Sequence, residues 1–298
     1  MAAALSLSRQ RRRAAVLFVL PMLVVLAAVA GWPLVRTVYF SFTDARLSNL
    51  ETHGFVWLDN FAVLAVDPEW WRSVWNTVVF AAISVTLETV LGLVIALTLN
   101  AHLPGRGPLR AAVLVPWAIP TVVSAQMWNW MFNDLYGVLN AALLALGVIH
   151  APLAWTADPS LALPAVIAVD VWKTTPFMAL LTLAALQLLP AELYEAARID
   201  GASALRAFWT ITLPLIRPAL VVAVVFRMLD ALRVFDLPYV LTGNSRHTAS
   251  MAVFARQRLV DFQDVGLGSA ASTFLFLIVA VFAAVTLTAG RVRLRGTG

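Results

Sequence analysis

Cysteine is absent from the 298 residues, and lysine occurs once, as Lys173. The first absence excludes a disulfide framework, an iron–sulfur site and a cysteine nucleophile. The second excludes a phosphate-cradling loop of the form Gly-x-x-x-x-Gly-Lys-Ser/Thr, because Lys173 sits in Val-Trp-Lys-Thr-Thr with no glycine nearby. Any ATP-driven work must therefore come from a partner. The four histidines, His53, His102, His150 and His247, lie far apart, and no His-Glu-x-x-His or similar metal spacing occurs. Charge is scarce as well. Only 12% of the residues are charged and 61% are apolar, against about 25% and 45–50% in soluble domains. So few charges cannot cover a water-soluble fold.

What is present are apolar runs long enough, at about 20 residues, to cross roughly 30 Å of hydrocarbon. Six spans are expected, near 14–39, 74–99, 109–132, 161–189, 212–235 and 267–290. The runs are continuous rather than alternating, which favours helices that satisfy their own backbone groups over a barrel. The fold class is therefore an all-α, polytopic membrane protein, read as a single transmembrane domain over 1–298. Arginines set the orientation. Arg9, Arg11, Arg12, Arg13, Arg106, Arg110, Arg198, Arg206, Arg291, Arg293 and Arg295 fall on one side of six spans. Arg46, Arg72, Arg246, Arg256 and Arg258 fall on the other, mixed with acids such as Asp44, Glu51, Asp59, Asp67 and Glu69. Positive-inside bias then puts both termini in the cytoplasm, with Trp57, Trp70, Trp71 and Trp75 at the outer interface. Arg9–Arg13 followed by an apolar run and Ala28-Val29-Ala30 also has the form of a cleaved signal peptide. The run continues through Trp32-Pro33-Leu34-Val35, long enough to span, and its removal would leave an odd number of helices.

The connection between the fourth and fifth spans differs from the others. From Leu189 to Pro214 it reads as two short helices. Pro190 suits a first helical turn, with Glu192 and Glu195 near its positive end. Gly201 permits a turn, and Ser203 can cap a second helix on which Leu205, Phe208 and Trp209 share a face. Ala196 and Ala197 would leave a smooth surface for another protein's backbone. Physical chemistry alone leaves two readings open, an amphipathic connector at the membrane surface and a docking element.

The spacing adds a third argument. Glu195-Ala196-Ala197, three residues, Gly201, nine residues and Ile211-Thr212-Leu213-Pro214 resembles the cytoplasmic EAA loop of permease subunits of binding-protein-dependent ABC importers. Residues from about 65 to 290 are similar to the carbohydrate-type, maltose/trehalose-like permeases. Trp172–Met178, Leu229–Asp236 and Tyr239–Gly243 support the likeness. The resemblance implies that segment 190–212 is a coupling loop seated on an ATPase subunit. Carried over by position, Glu195, Ala196, Ala197, Asp200 and Gly201 form the coupling set, with Glu195 meeting a basic group and Gly201 setting the turn. It also implies the partners: a second related permease subunit, cytoplasmic ATP-binding subunits and an extracytoplasmic solute-binding protein, in a bacterial inner membrane. The chain itself binds no cofactor on this reading; ATP and magnesium belong to the ATPase. The larger maltose permeases carry extra N-terminal helices and a periplasmic insertion that have no counterpart here, so contacts made there do not transfer.

Ionisable groups inside spans need a partner or a cavity, because a charge at the bilayer centre costs about 2.5–3.5 kcal/mol even on insertion scales. Asp170, Lys173, Thr174 and Phe177 fall on one helical face of the fourth span, and Arg227, Asp230 and Arg233 are successive neighbours on the fifth. Gln126, Asn129 and Asn133 form a stripe on the third. One reading makes these ion-pair staples, Asp170 with Lys173 and Asp230 with Arg227 or Arg233. The other makes them a polar, aromatic-edged pocket for a hydroxyl-rich solute. In maltose-type permeases the sugar site uses positions matching Lys173, Thr174 and Phe177, and a stretch of the later helix near 226–234. Glu88, with Gly92 one turn on, reads as a lone packing or hydrogen-bonding group, and Gly268 with Ser272 as a close-contact pair.

The expected function is one half of a path for sugar, in particular disaccharide, uptake, with no catalysis in this chain. An importer of glycerol phosphate, a polyamine or an amino acid is the alternative. A basic pocket would favour the first and unpaired acids the second; the mixed charges favour neither. An intramembrane enzyme would need a nucleophile–base pair or a metal cluster that the spans do not offer.

Overall fold

A computed structural model describes residues 2–101, 106–243 and 245–294. His102 and Arg295 lie outside the described residues. The helices are α1 (residues 2–40), α2 (Asp59–Val66), α3 (Pro68–Asn100), α4 (Arg106–Ala118), α5 (Thr121–Met131) and α6 (Val138–Ala145). The chain continues through α7 (Ala162–Leu186), α8 (Ala191–Ile199), α9 (residues 204–231), α10 (Asp236–Thr242), α11 (residues 251–261) and α12 (Val265–Leu294). Among the described residues β pairing is confined to isolated bridges, Thr43 with Phe55 and Arg46 with Asp264.

Among the described residues five helices are long and apolar enough to cross a membrane, or six if the bent pair α4–α5 is counted as one crossing. The expected third span is thus not a single rod: α4 and α5 meet at 91°. Pro116 and Pro120 explain the break. Each lacks an N–H, and Pro120 pushes Ile119 away from helical geometry. Asn133 lies past the end of α5, where its Oδ1 accepts from the amides of Leu135 and Tyr136. The expected polar stripe therefore does not form; Gln126 is exposed and Asn133 closes a turn.

By contacts the chain divides into two compact units, residues 1–66 with 255–274, and 67–254 with 275–298. In the first, Asn60 Nδ2 donates to the carbonyls of Ser41 at 3.0 Å and Thr43 at 2.8 Å. A Cβ on Gly266 would sit 2.1 Å from the Thr43 carbonyl oxygen, so only glycine fits there. Gly268 likewise approaches the backbone and side chain of Leu259 in α11. The expected Gly268–Ser272 contact is thus made to the segment just before α12, and Ser272 Oγ donates back to the Gly268 carbonyl.

In the second unit, α3 begins at Asp67, whose carboxylate accepts from the amides of Glu69 and Trp70, with Pro68 in the first turn. Ser73, Thr77, Ala81, Ser84, Glu88, Gly92, Ala96 and Leu99 recur every three or four residues and form its buried face. Small side chains let α7 approach closely along this face. A Cβ at Gly92 would lie 2.8 Å from the Met178 Cβ and 2.9 Å from the Ala179 nitrogen. Trp70 is fully buried and sets its ring edge-on against Phe254, so it is not an interfacial ring. Trp71 and Trp75, one face round, are exposed. Before α7, Asp158 Oδ1 accepts from the amide and hydroxyl of Ser160, which holds its carboxyl below the usual range.

Candidate functional site

Two groups of sequence-predicted residues lie in the second unit. The first is the segment after α7. Helix α8 starts behind Pro190 and ends at Ile199; Gly201 adopts φ +72°, a left-handed conformation that L side chains rarely take. Ser203 Oγ accepts from the Arg206 amide and caps the start of α9. The second short helix is not separate. Residues 204–207 pass through one wide turn, Phe208–Thr212, straight into the fifth span, so α9 runs unbroken to Ala231. Tyr194 and Thr212 hydroxyls meet at 2.9 Å and tie α8 to α9. Glu195, Ala196, Asp200 and Gly201 are exposed, together with Ile199, Leu205 and Trp209. Ala197 is buried, so of the two adjacent alanines only Ala196 lies on the open surface.

The second group is a buried ionic knot joining α3, α7 and α9. Arg227 Nε donates to Glu88 Oε2 at 2.6 Å and Nη2 to Glu88 Oε1 at 3.0 Å, a bidentate pair. Nη2 also donates to Asp170, and Nη1 reaches Asp230 at 3.2 Å. The Thr174 hydroxyl lies 2.6 Å from Glu88 Oε1 and 2.7 Å from the Asp170 carbonyl. Side-chain exposure is 3% at Arg227, 0% at Glu88 and 8% at Asp170, but 64% at Asp230. The guanidinium thus faces three carboxylates, two enclosed and one open.

This arrangement differs from the pairings read off the helical spacing. Asp170 bonds Arg227 across helices, not Lys173 one turn away, and Glu88 is no lone group. Lys173 is buried beside the knot without a hydrogen bond or ion pair among the described residues. Arg233 lies beyond the helix end at Ala231 and is exposed, so the expected three-residue charged turn holds only two members. Phe177 stacks on Trp117 of α4, ring centroids 5.9 Å apart. Sequence reasoning missed the aromatic run Trp172–Trp128–Phe132–Trp155, joined by ring contacts of 5.4, 5.3 and 5.9 Å. Trp128 and Phe132 are neighbours one turn apart at the end of α5, but Trp172 and Trp155 come from other segments, and nothing local announces their joining. Glu88 carried a usable signal: an acid in mid-span requires a cation somewhere.

Among the described residues no group of three or more His, Cys, Asp or Glu could hold a metal ion.

Comparison with known proteins matches residues 88–294 to the family of binding-protein-dependent transport system inner membrane components. The trehalose/maltose transport system permease protein MalF of Thermococcus litoralis is 45% identical over 278 residues, 93% of this chain and 93% of that protein. The trehalose transport system permease protein SugA of Mycobacterium tuberculosis is 42% identical, covering 91% and 87%. A chain in the crystal structure of a bacterial ABC transporter involved in import of the acidic polysaccharide alginate superposes with a TM-score of 0.83 at 21% identity, over 97% and 98%. That likeness concerns the fold.

Proposed function

Because the chain belongs to the binding-protein-dependent transport system inner membrane components, we propose that it forms half of a path for disaccharide uptake, of the trehalose or maltose class. It is a multi-pass membrane subunit and not an enzyme. It works with a second permease, ATPase subunits that bind ATP and magnesium, and an extracytoplasmic binding protein. The observation that carries the reading is the coupling segment. Its signature residues Glu195, Ala196, Asp200 and Gly201 lie exposed on and just after α8, between the two helices α7 and α9 that also hold polar groups of the spans.

On and just past the spans, Asp230, Arg233, Lys173 and Phe177 are the solute-path candidates. Asp230 and Arg233 are open, Phe177 is half-buried, and Lys173 is a cation with no bonded acceptor among the described residues. Thr174, Asp170 and Arg227 hold the geometry behind them. The mixed charge of this group favours a neutral, hydroxyl-rich solute over glycerol phosphate, a polyamine or an amino acid.

The test is Glu195→Lys in the assembled complex. Membrane insertion and yield should stay near wild type, while solute-stimulated ATP hydrolysis and uptake fall at least about tenfold, as expected when a charge-assisted contact becomes a repulsion. Wild-type coupling would remove the assigned role. Both termini lie in the cytoplasm on this reading. A cysteine placed at Ser203 should then resist an impermeant reagent in intact cells, whereas one at Ser48 should react.

A further inference from the structure

On the side of the coupling segment, α3, α4 and α7 enclose an open groove of roughly 190 Å³. Val113 and Leu114 form one wall, Leu180 and Leu183 the other, and Arg110 and Gln187 stand at the mouth. Leu99 at the end of α3, Arg110 in the second turn of α4 and Gln187 just past α7 mark this mouth as one end of three helices. One turn beyond Leu114 and Leu180, the Trp117–Phe177 stack bounds the inner end. From Phe177 to Gln187 is about 15 Å along a helix at about 1.5 Å per residue, and half of a bilayer core is also about 15 Å.

We infer that this groove holds one acyl chain of an anionic phospholipid of the cytoplasmic leaflet, with its phosphate on Arg110. A guanidinium has five N–H donors. Among the described residues Arg110 uses one in a hydrogen bond, Nη2 to the Leu99 carbonyl at 3.1 Å, and its Nε is buried with no partner. No carboxylate among the described residues pairs with it. Unmet donors on a cation beside an apolar slot one leaflet deep match a phosphate joined to a hydrocarbon tail. Apart from Arg110 and Gln187 at the mouth, the described lining is apolar, which suits a hydrocarbon tail better than a hydroxyl-rich solute. The leaflet is set by the coupling segment's side, and the inference stands whichever solute is carried. Among the described residues the single cation at the mouth, Arg110, favours an anionic over a zwitterionic headgroup.

The full complex, stripped of lipid and offered phosphatidylglycerol or phosphatidylcholine at equal concentration, reports the site by native mass spectrometry. Wild type should retain phosphatidylglycerol in preference. Arg110→Gln should weaken that retention on the order of tenfold, the worth of a lost charge-assisted hydrogen bond, and Arg110→Lys should restore most of it. Leu180→Trp, which fills the groove, should lose the lipid with ATPase activity intact; it decides the matter if the arginine variant fails to assemble. Equal retention of both lipids, unchanged binding in Leu180→Trp, or crosslinking of a cysteine at Leu180 to the second permease would overturn the inference. The last outcome would give the groove to a partner helix.

Discussion

Glu88, Asp170 and Arg227 in the spans, and Glu195, Arg198, Asp200 and Arg206 between the fourth and fifth of them, come from the same small stock of charged residues and are used in opposite ways. The first three are enclosed and saturated with one another. The other four are exposed and form no ion pair among the described residues. In hydrocarbon an isolated charge is costly, so buried charges must find each other across helices. At the aqueous end a charge is cheaply solvated and remains available to a protein that docks later. The contrast teaches where each kind of substitution should register: in assembly for the knot, in coupling for the segment.

Breaking the knot should have the largest effect. Arg227→Met leaves the Glu88 and Asp170 carboxylates buried without their cation, and removing one partner of a buried pair costs about 3–5 kcal/mol. Complex yield and thermal midpoint should collapse. The neutral triple variant Glu88→Gln, Asp170→Asn, Arg227→Gln should recover much of the loss, since no uncompensated charge remains. Midpoints measured on purified complexes check this; a triple variant as unstable as the single one would mean that shape, not charge, holds α3, α7 and α9.

A smaller effect separates packing from charge on the same face of α3. Gly92→Ala places a methyl 2.8 Å from Met178 Cβ and 2.9 Å from a backbone nitrogen, and such overpacking costs about 1–3 kcal/mol. The thermal midpoint should drop while uptake per assembled complex changes little. A tolerated alanine would show that α3 and α7 can separate slightly without harm.

Legibility in the sequence tracks the range of the physics. Continuous apolar runs, proline, glycine and serine act within a few residues, so most of the spans and the bounds of α8 at Pro190 and Gly201 are readable. Glu88 with Arg227 is not, because the partners are 139 residues apart and helical spacing favours the neighbour one turn away. The same logic assigns Asp170 to Lys173, and the fold gives it to Arg227. The bend at Ile119-Pro120 is hidden for a related reason. Hydropathy runs smoothly across it, and prolines are tolerated in apolar helices often enough to leave the span looking whole. The burial of Ala197 on α8 depends on which face of that helix packs inward, which two adjacent alanines do not reveal.

Asp230 sits on the border of the two regimes and sharpens the comparison with the smallest expected change in stability. It bonds Arg227 at 3.2 Å, yet its side chain is 64% exposed. Exposed pairs contribute about 0–1 kcal/mol, and Arg227 keeps Glu88 and Asp170 if Asp230 is neutralised. Asp230→Asn preserves shape and should leave yield and midpoint within about 0.5 kcal/mol of wild type. If its open carboxylate accepts hydrogen bonds from solute hydroxyls, uptake per complex should nonetheless fall several-fold, while solute affinity of the isolated binding protein is untouched. Phe177→Ala tests the same path through an aromatic surface, with the Trp117 stack as the cost. A drop in yield ahead of uptake for Asp230→Asn would place Asp230 inside the staple. Normal uptake per complex in both variants would move the solute path elsewhere and leave the knot with structure as its whole task.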